Sequence, residues 1–149
     1  MNQSNHKEHK GFFTKNTNWY DWKWVIKNCF WIRIKSPQSI RCRTNKSAYE
    51  ECLYYEITKA GVYVEKQKGL PLVYNEINLD IGYRIDLIIE NKLIVEVKSV
   101  EVLADIHMAQ ILTYLKLSKC KLGLLINFNT VLFKDGVKRV INGTLWPLW

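Results

Sequence analysis

The chain lacks any apolar run approaching the ~18 residues needed to span a bilayer, so no membrane partner is expected for its 149 residues. Met1 to Lys10 is polar, which argues against a secretory signal peptide there. None of the four cysteines, Cys29, Cys42, Cys52 and Cys120, belongs to a CxxC pair. Neither a zinc knuckle nor a redox motif is indicated, and free thiols in a reducing cytoplasm are the expectation. Acidic residues are scarce at the start: residues 1–46 hold two Asp/Glu against ten Lys/Arg, whereas residues 47–149 hold twelve of each. The first segment therefore carries all of the net +8 charge, and the remainder is neutral. A basic arm suits phosphates, but the body of the protein shows no basic excess.

What is present suits one domain with a modest core, at an ordinary apolar content of 48%. Residues 1–46 have no clear period of 3.6 or 2. They hold four of the six tryptophans, Trp19, Trp22, Trp24 and Trp31, interleaved with Lys and Arg. Such interleaving can make a stacking surface for single strands, although a core-packing segment is the blander reading. Within it, Trp22 to Ile26 and Cys29 to Ile34 read as two strands. We divide the chain at this point, into an atypical basic segment, 1–46, and a domain, 47–149.

From Ser47 the signals sharpen. Ser47-Ala48-Tyr49-Glu50 reads as a capping box opening a helix, and Gly61 suits its end. Val62 to Tyr74 reads as extended, with Pro71 indicating an edge or a bend. Ile81–Ile89 and Leu93–Val97 are strongly β and are joined around Glu90-Asn91-Lys92. Ala104–Ser118 reads as a helix with Met108, Ile111, Leu112 and Leu115 as its apolar stripe. Lys121–Phe128 is a nearly continuous apolar strand, and Val131–Ile141 reads as a hairpin turning at Asp135-Gly136. The order predicts an α/β sandwich around a mixed sheet.

The hairpin between the two β segments carries the chemistry. If it is centred on Asn91, Asp86 lies across from Glu96. Alternation then puts Arg84, Asp86, Ile88, Ile94, Glu96 and Lys98 on one face. Ile85, Leu87, Ile89, Leu93, Val95 and Val97 would fill the other, core-facing side. Two opposed carboxylates repel, and a bridging divalent cation offsets that repulsion. Mg²⁺ favours one or two carboxylates completed by water and phosphate oxygens. Lys98, two residues beyond Glu96 on the same face, could hold a phosphate or orient a water. A surface network in which Arg84 and Lys98 neutralise the acids is the competing reading.

Gly82-Tyr83-Arg84-Ile85-Asp86-Leu87 followed by Val95-Glu96-Val97-Lys98-Ser99 resembles the D…ExK signature of the PD-(D/E)XK nuclease superfamily. Residues 47–143 resemble, more narrowly, the small bacterial GxxExxY proteins of that superfamily. Ser47-Ala48-Tyr49-Glu50-Glu51, His107-Met108-Ala109-Gln110 with Tyr114-Leu115, and Gly123 to Phe128 recur in the right order. The resemblance implies a restriction-endonuclease-like αβββαβ core with a central mixed sheet flanked by helices. It implies a Mg²⁺- or Mn²⁺-dependent hydrolase of nucleic acid, DNA ahead of RNA. It also implies Asp86 and Glu96 as metal ligands and Lys98 as the catalytic lysine. His107, Gln110 and Tyr114 share one helix face, and by resemblance Gln110 and Tyr114 touch the nucleic acid, with His107 and Arg84 beside them.

The departures are informative. Aligning the family's tyrosine on Tyr49 puts Arg43 at the motif's glycine and Lys46 at its first-helix glutamate. Glu50, four residues on, faces the same way and is the candidate substitute. An impaired enzyme, or a catalytically silent binding module on the same fold, is the alternative to an active nuclease. The long helix that precedes the motif in the family is not visible in residues 1–46. A segment translated outside the ancestral frame would give that coincidence. It would leave an apolar sheet face uncovered and open to homodimerisation.

Overall fold

The computed structural model describes residues 22–35 and 45–143. In those residues, Trp22–Lys35 forms helix α1, not the two expected strands. Its aromatic and β-branched content mimics strand composition, but Val25, Cys29 and Ile32 recur at helical spacing and are buried in the core. Arg33 ties the helix to the loop after the fourth strand, donating to Thr130 Oγ1 at 3.1 Å and to the carbonyls of Thr130 and Val131. Trp19 and the rest of the basic arm lie outside the described residues.

Helix α2, Lys46–Lys59, starts before the expected capping box. Asn45 is its N-cap, accepting from Ala48 N at 3.2 Å. That leaves Glu50 available for another contact. At the other end Gly61, at φ +76, closes the helix. Gly61 N donates to Thr58 O and Val62 N to Ile57 O, the paired bonds of a Schellman turn.

Among the described residues, the sheet has five strands in the order of the chain. They are β1 (Val64–Tyr74), β2 (Ile77–Ile89), β3 (Leu93–Lys98), β4 (Leu122–Asn127) and β5 (Val137–Ile141). Only β3 and β4 are parallel; helix α3 (Asp105–Ser118) connects them. β1 is an edge strand whose register shifts between Leu70 and Leu72, around Pro71. β2 is longer than expected, because Asn75 and Glu76 take positive φ and make a tight turn that extends the ladder to Tyr74↔Ile77. The expected 131–141 hairpin is absent. Phe133–Gly136 is a 3₁₀ turn, and β5 pairs back on β4. Burial of Phe133 against Phe128 holds the turn in, and a Cβ on Gly136 would sit 2.2 Å from Asn127 O.

Both faces of the central part of the sheet are buried. Leu87, Ile89, Leu93, Val95, Val97, Leu124 and Ile126 pack beneath α1 and α2. Ile85, Ile88, Ile94, Leu125 and Val140 pack against Ile111, Tyr114 and Leu115 of α3. Two expectations change accordingly. The face carrying Ile88 and Ile94 is core, and Ile85 belongs with them, not with Leu87. The alternation breaks at Asp86, where the neighbouring Gln67 takes φ +53 between the Lys66↔Leu87 and Lys68↔Ile85 pairs. The sheet face expected to lie uncovered, the basis for a homodimer, is covered by α1 and α2.

Candidate functional site

The inferred hairpin register holds: Leu87 pairs with Val95, Ile88 with Ile94 and Ile89 with Leu93. Glu90 and Asn91 both take positive φ in the turn. One step beyond Leu87↔Val95, at Asp86 and Glu96, side chains replace the backbone ladder. Asp86 N donates to Glu96 Oε1 at 3.1 Å, and Val97 N donates to Asp86 Oδ2 at 2.9 Å. Each carboxylate thus satisfies an amide that strand pairing would otherwise use. The strands fork here, and both carboxylates are buried in the fork, Asp86 at 4% exposure and Glu96 at 1%.

Each carboxylate has its own lysine. On the α2 side, Lys46 Nζ lies 2.8 Å from Asp86 Oδ1. Gln67 Nε2 bridges two acids, 2.5 Å from Glu50 Oε1 and 3.3 Å from Asp86 Oδ1. Glu50 is buried. On the α3 side, Lys98 Nζ is 3.7 Å from Glu96 Oε2, an ion pair too long for a hydrogen bond. Its direct partner is Gln110 Oε1 at 2.7 Å, and Gln110 Nε2 in turn donates to Tyr114 OH at 2.8 Å. Since an ammonium only donates, the Lys98 contact sets the orientation of the Gln110 amide.

The electrostatics follow from burial. Desolvation and then the Asp86 charge push the Glu96 carboxyl up to about 8. Burial also raises Glu50, partly offset by the Gln67 hydrogen bond. For Lys46, burial favours loss of the proton, but the hydrogen bond to Asp86 and the charges of Asp86, Glu96 and Glu50 outweigh it. The ammonium is held above its ordinary range.

Of the expected site residues, Glu50, Asp86 and Glu96 fall in one hydrogen-bonded group and Lys98, Gln110 and Tyr114 in another, and the Lys98–Glu96 ion pair joins the two. His107 lies one helical turn from Gln110, its Nδ1 accepting from Ala104 N at 3.0 Å to cap α3. Arg84 is exposed on β2. Gln67 was missed: a glutamine between two lysines in an edge strand carries no signal, and its reach depends on its left-handed backbone. Asn127 was passed over as part of an apolar strand. It is 1% exposed and clamps the segment after Lys98, its Oδ1 accepting from Val100 N at 3.0 Å and its Nδ2 donating to Val100 O at 2.8 Å.

Asp86 and Glu96 offer hard oxygen donors side by side in the fork, and burial, then the Asp86 charge, makes ionised Glu96 costly, a cost that a cation offsets. This pair fits a Mg²⁺- or Mn²⁺-like ion completed by water and phosphate. Among the described residues no cluster of three or more His, Cys, Asp or Glu forms a fuller cage. No described helix is long and apolar enough to cross a membrane.

Comparison with curated proteins and with solved structures finds no match. A family model, PD-(D/E)XK nuclease superfamily, matches residues 26–140. The match crosses residue 46 and takes in most of α1. Covering most of the chain and containing the whole cluster, it shows that the protein belongs to the PD-(D/E)XK nuclease superfamily.

Proposed function

We propose that the protein is a Mg²⁺- or Mn²⁺-dependent nuclease, with Asp86 and Glu96 as the metal ligands, whose cation site is contested by Lys46. The observation that carries this reading is the buried Asp86–Glu96 pair with Lys98 beside it. A bound divalent cation would polarise a phosphodiester and lower the pKa of an attacking water. The chain's own residues supply the rest. Gln110 holds the Lys98 ammonium at the mouth of the fork, where it meets a phosphate oxygen or orients the water. Tyr114 braces Gln110, and Asn127 fixes the backbone that follows Lys98. Arg84 and His107 flank the path a strand would follow. Glu50, through Gln67, supplies the acidic character that α2 loses at Lys46. The narrower likeness to GxxExxY proteins, DNA ahead of RNA as substrate, and a cytoplasmic setting belong to this reading.

A specific observation favours the silent binding module as the second reading: Lys46 Nζ already neutralises Asp86 at 2.8 Å. Cleavage of single-stranded and duplex DNA with Mn²⁺, by the native chain and by Asp86→Asn, tests the first reading. Metal-dependent cleavage lost in Asp86→Asn supports it. Cleavage retained in that variant places the activity elsewhere. No cleavage by either the native chain or Lys46→Glu leaves the binding module as the account.

A further inference from the structure

Next to the Lys98–Gln110 contact, helix α3 and strand β2 enclose a groove of about 460 Å³. Tyr83, Ile106, His107, Ala109, Gln110, Thr113 and Tyr114 line it. Its character differs from the fork. Ile106 presents an apolar side chain that is 70% exposed. Tyr83 stands edge-on to Tyr114, ring centres 6.1 Å apart at 63°. The polar groups are few and fixed. Thr113 Oγ1 donates to Ala109 O at 2.9 Å, which leaves its lone pairs as acceptors. Because His107 Nδ1 accepts from Ala104 N, the neutral ring carries its proton on Nε2, a donor. Burial and then the Lys98 charge lower the His107 pKa, which favours the neutral ring.

A flat, apolar-faced group with donors and acceptors on its rim suits these walls. The groove shares Gln110 with the site, so an occupant lies one residue from the Lys98 ammonium. We infer that this groove holds one unpaired nucleobase beside the scissile phosphate, making the preferred substrate a single strand or a frayed end. A base inside a duplex is stacked on both faces and must leave the stack to enter. An unpaired base enters at no such cost and gains stacking on the tyrosine. The inference rests on the nuclease reading for the position of the phosphate, but the base site itself needs no metal.

The test uses the full chain in EDTA, with fluorescence polarisation of a labelled oligothymidylate and of a labelled duplex of equal length. Single strand should bind more tightly than duplex. Tyr83→Ala should weaken single-strand binding about tenfold or more, leaving the duplex unchanged. Tyr83→Phe should behave as the native chain. Ile106→Glu, at an exposed position that leaves the fold intact, should weaken single-strand binding through a misplaced anion. Native-like single-strand binding by both Tyr83→Ala and Ile106→Glu would overturn the inference, as would duplex binding that is equally tight and falls in parallel. Metal-dependent cleavage is read separately with Asp86→Asn. Its absence from both the native chain and Lys46→Glu, with the Tyr83 contrast intact, would reject the nuclease reading and keep the base site. Its presence without that contrast would do the reverse.

Discussion

Asp86 and Glu96 face each other across one hairpin, and each has a lysine at hand, but the two halves of the fork are built differently. Lys46 comes from the first turn of α2 and closes directly on Asp86 at 2.8 Å. Lys98 comes from the same strand as Glu96, stands 3.7 Å off, and is drawn aside by Gln110. In the proposed nuclease, the first ammonium takes the position of the metal ion. The second keeps a longer ion pair with its acid and is hydrogen-bonded to Gln110. In the proposed nuclease, neutralising an acid and presenting the catalytic lysine are then separate tasks, set by which partner holds each lysine.

The largest effect is expected at Asp86. Asp86→Asn should abolish Mn²⁺ binding as read by calorimetry and, because the Asp86 charge helps raise Glu96, bring the Glu96 pKa down from about 8. Metal binding that survives would dismiss the fork as the cation site. Lys98→Ala should lower any cleavage rate by roughly a hundredfold or more, the scale of a lost proton-transfer or orienting group, with Mn²⁺ affinity largely unchanged. Equal cleavage would assign the chemistry to another group.

A smaller effect sharpens the electrostatic half. The Glu96 pKa is raised by folding, so its protonated form favours the folded state. That stability is present below the unfolded carboxyl range and is lost as pH rises through about 8. The melting temperature of metal-free protein should therefore fall between about pH 5 and pH 8, and Glu96→Gln should flatten the fall. A flat native profile would show that Glu96 is not strained. The smallest effect is at the cap. Asn45→Ala should cost about 1 kcal/mol and fray the turn carrying Lys46. Unchanged thermal stability would show that Lys46 is held by its ion pair alone.

Much of this was legible in the chain because the hairpin leaves little choice of register. Alternating apolar residues and a short turn at Asn91 set Asp86 opposite Glu96, and the ladder agrees. The resemblance to the GxxExxY pattern puts Lys46, a base, where that pattern has a glutamate. Helix α1 was not, because Trp22, Trp24, Val25, Ile32 and Ile34 are strand formers by composition. Its buried spacing shows only once a sheet lies beneath it. Faces were read too simply: in a sheet covered on both sides, apolar residues fill both parities, and the break at Asp86 moved Ile85 across. Gln67 needed a backbone conformation that no neighbouring residue announces.

The comparison turns on Lys46, and Mn²⁺ titration into the native chain, Lys46→Ala and Lys46→Glu tests it most directly. Two unit cations about 5 Å apart repel by roughly 3 kcal/mol at an effective dielectric of ~20. The Lys46 side chain is 39% exposed and can swing toward water, so the effect should be smaller. Lys46→Ala should bind Mn²⁺ about tenfold more tightly, and Lys46→Glu more tightly still. Equal or weaker binding in both variants would contradict the claim that Lys46 contests the cation site.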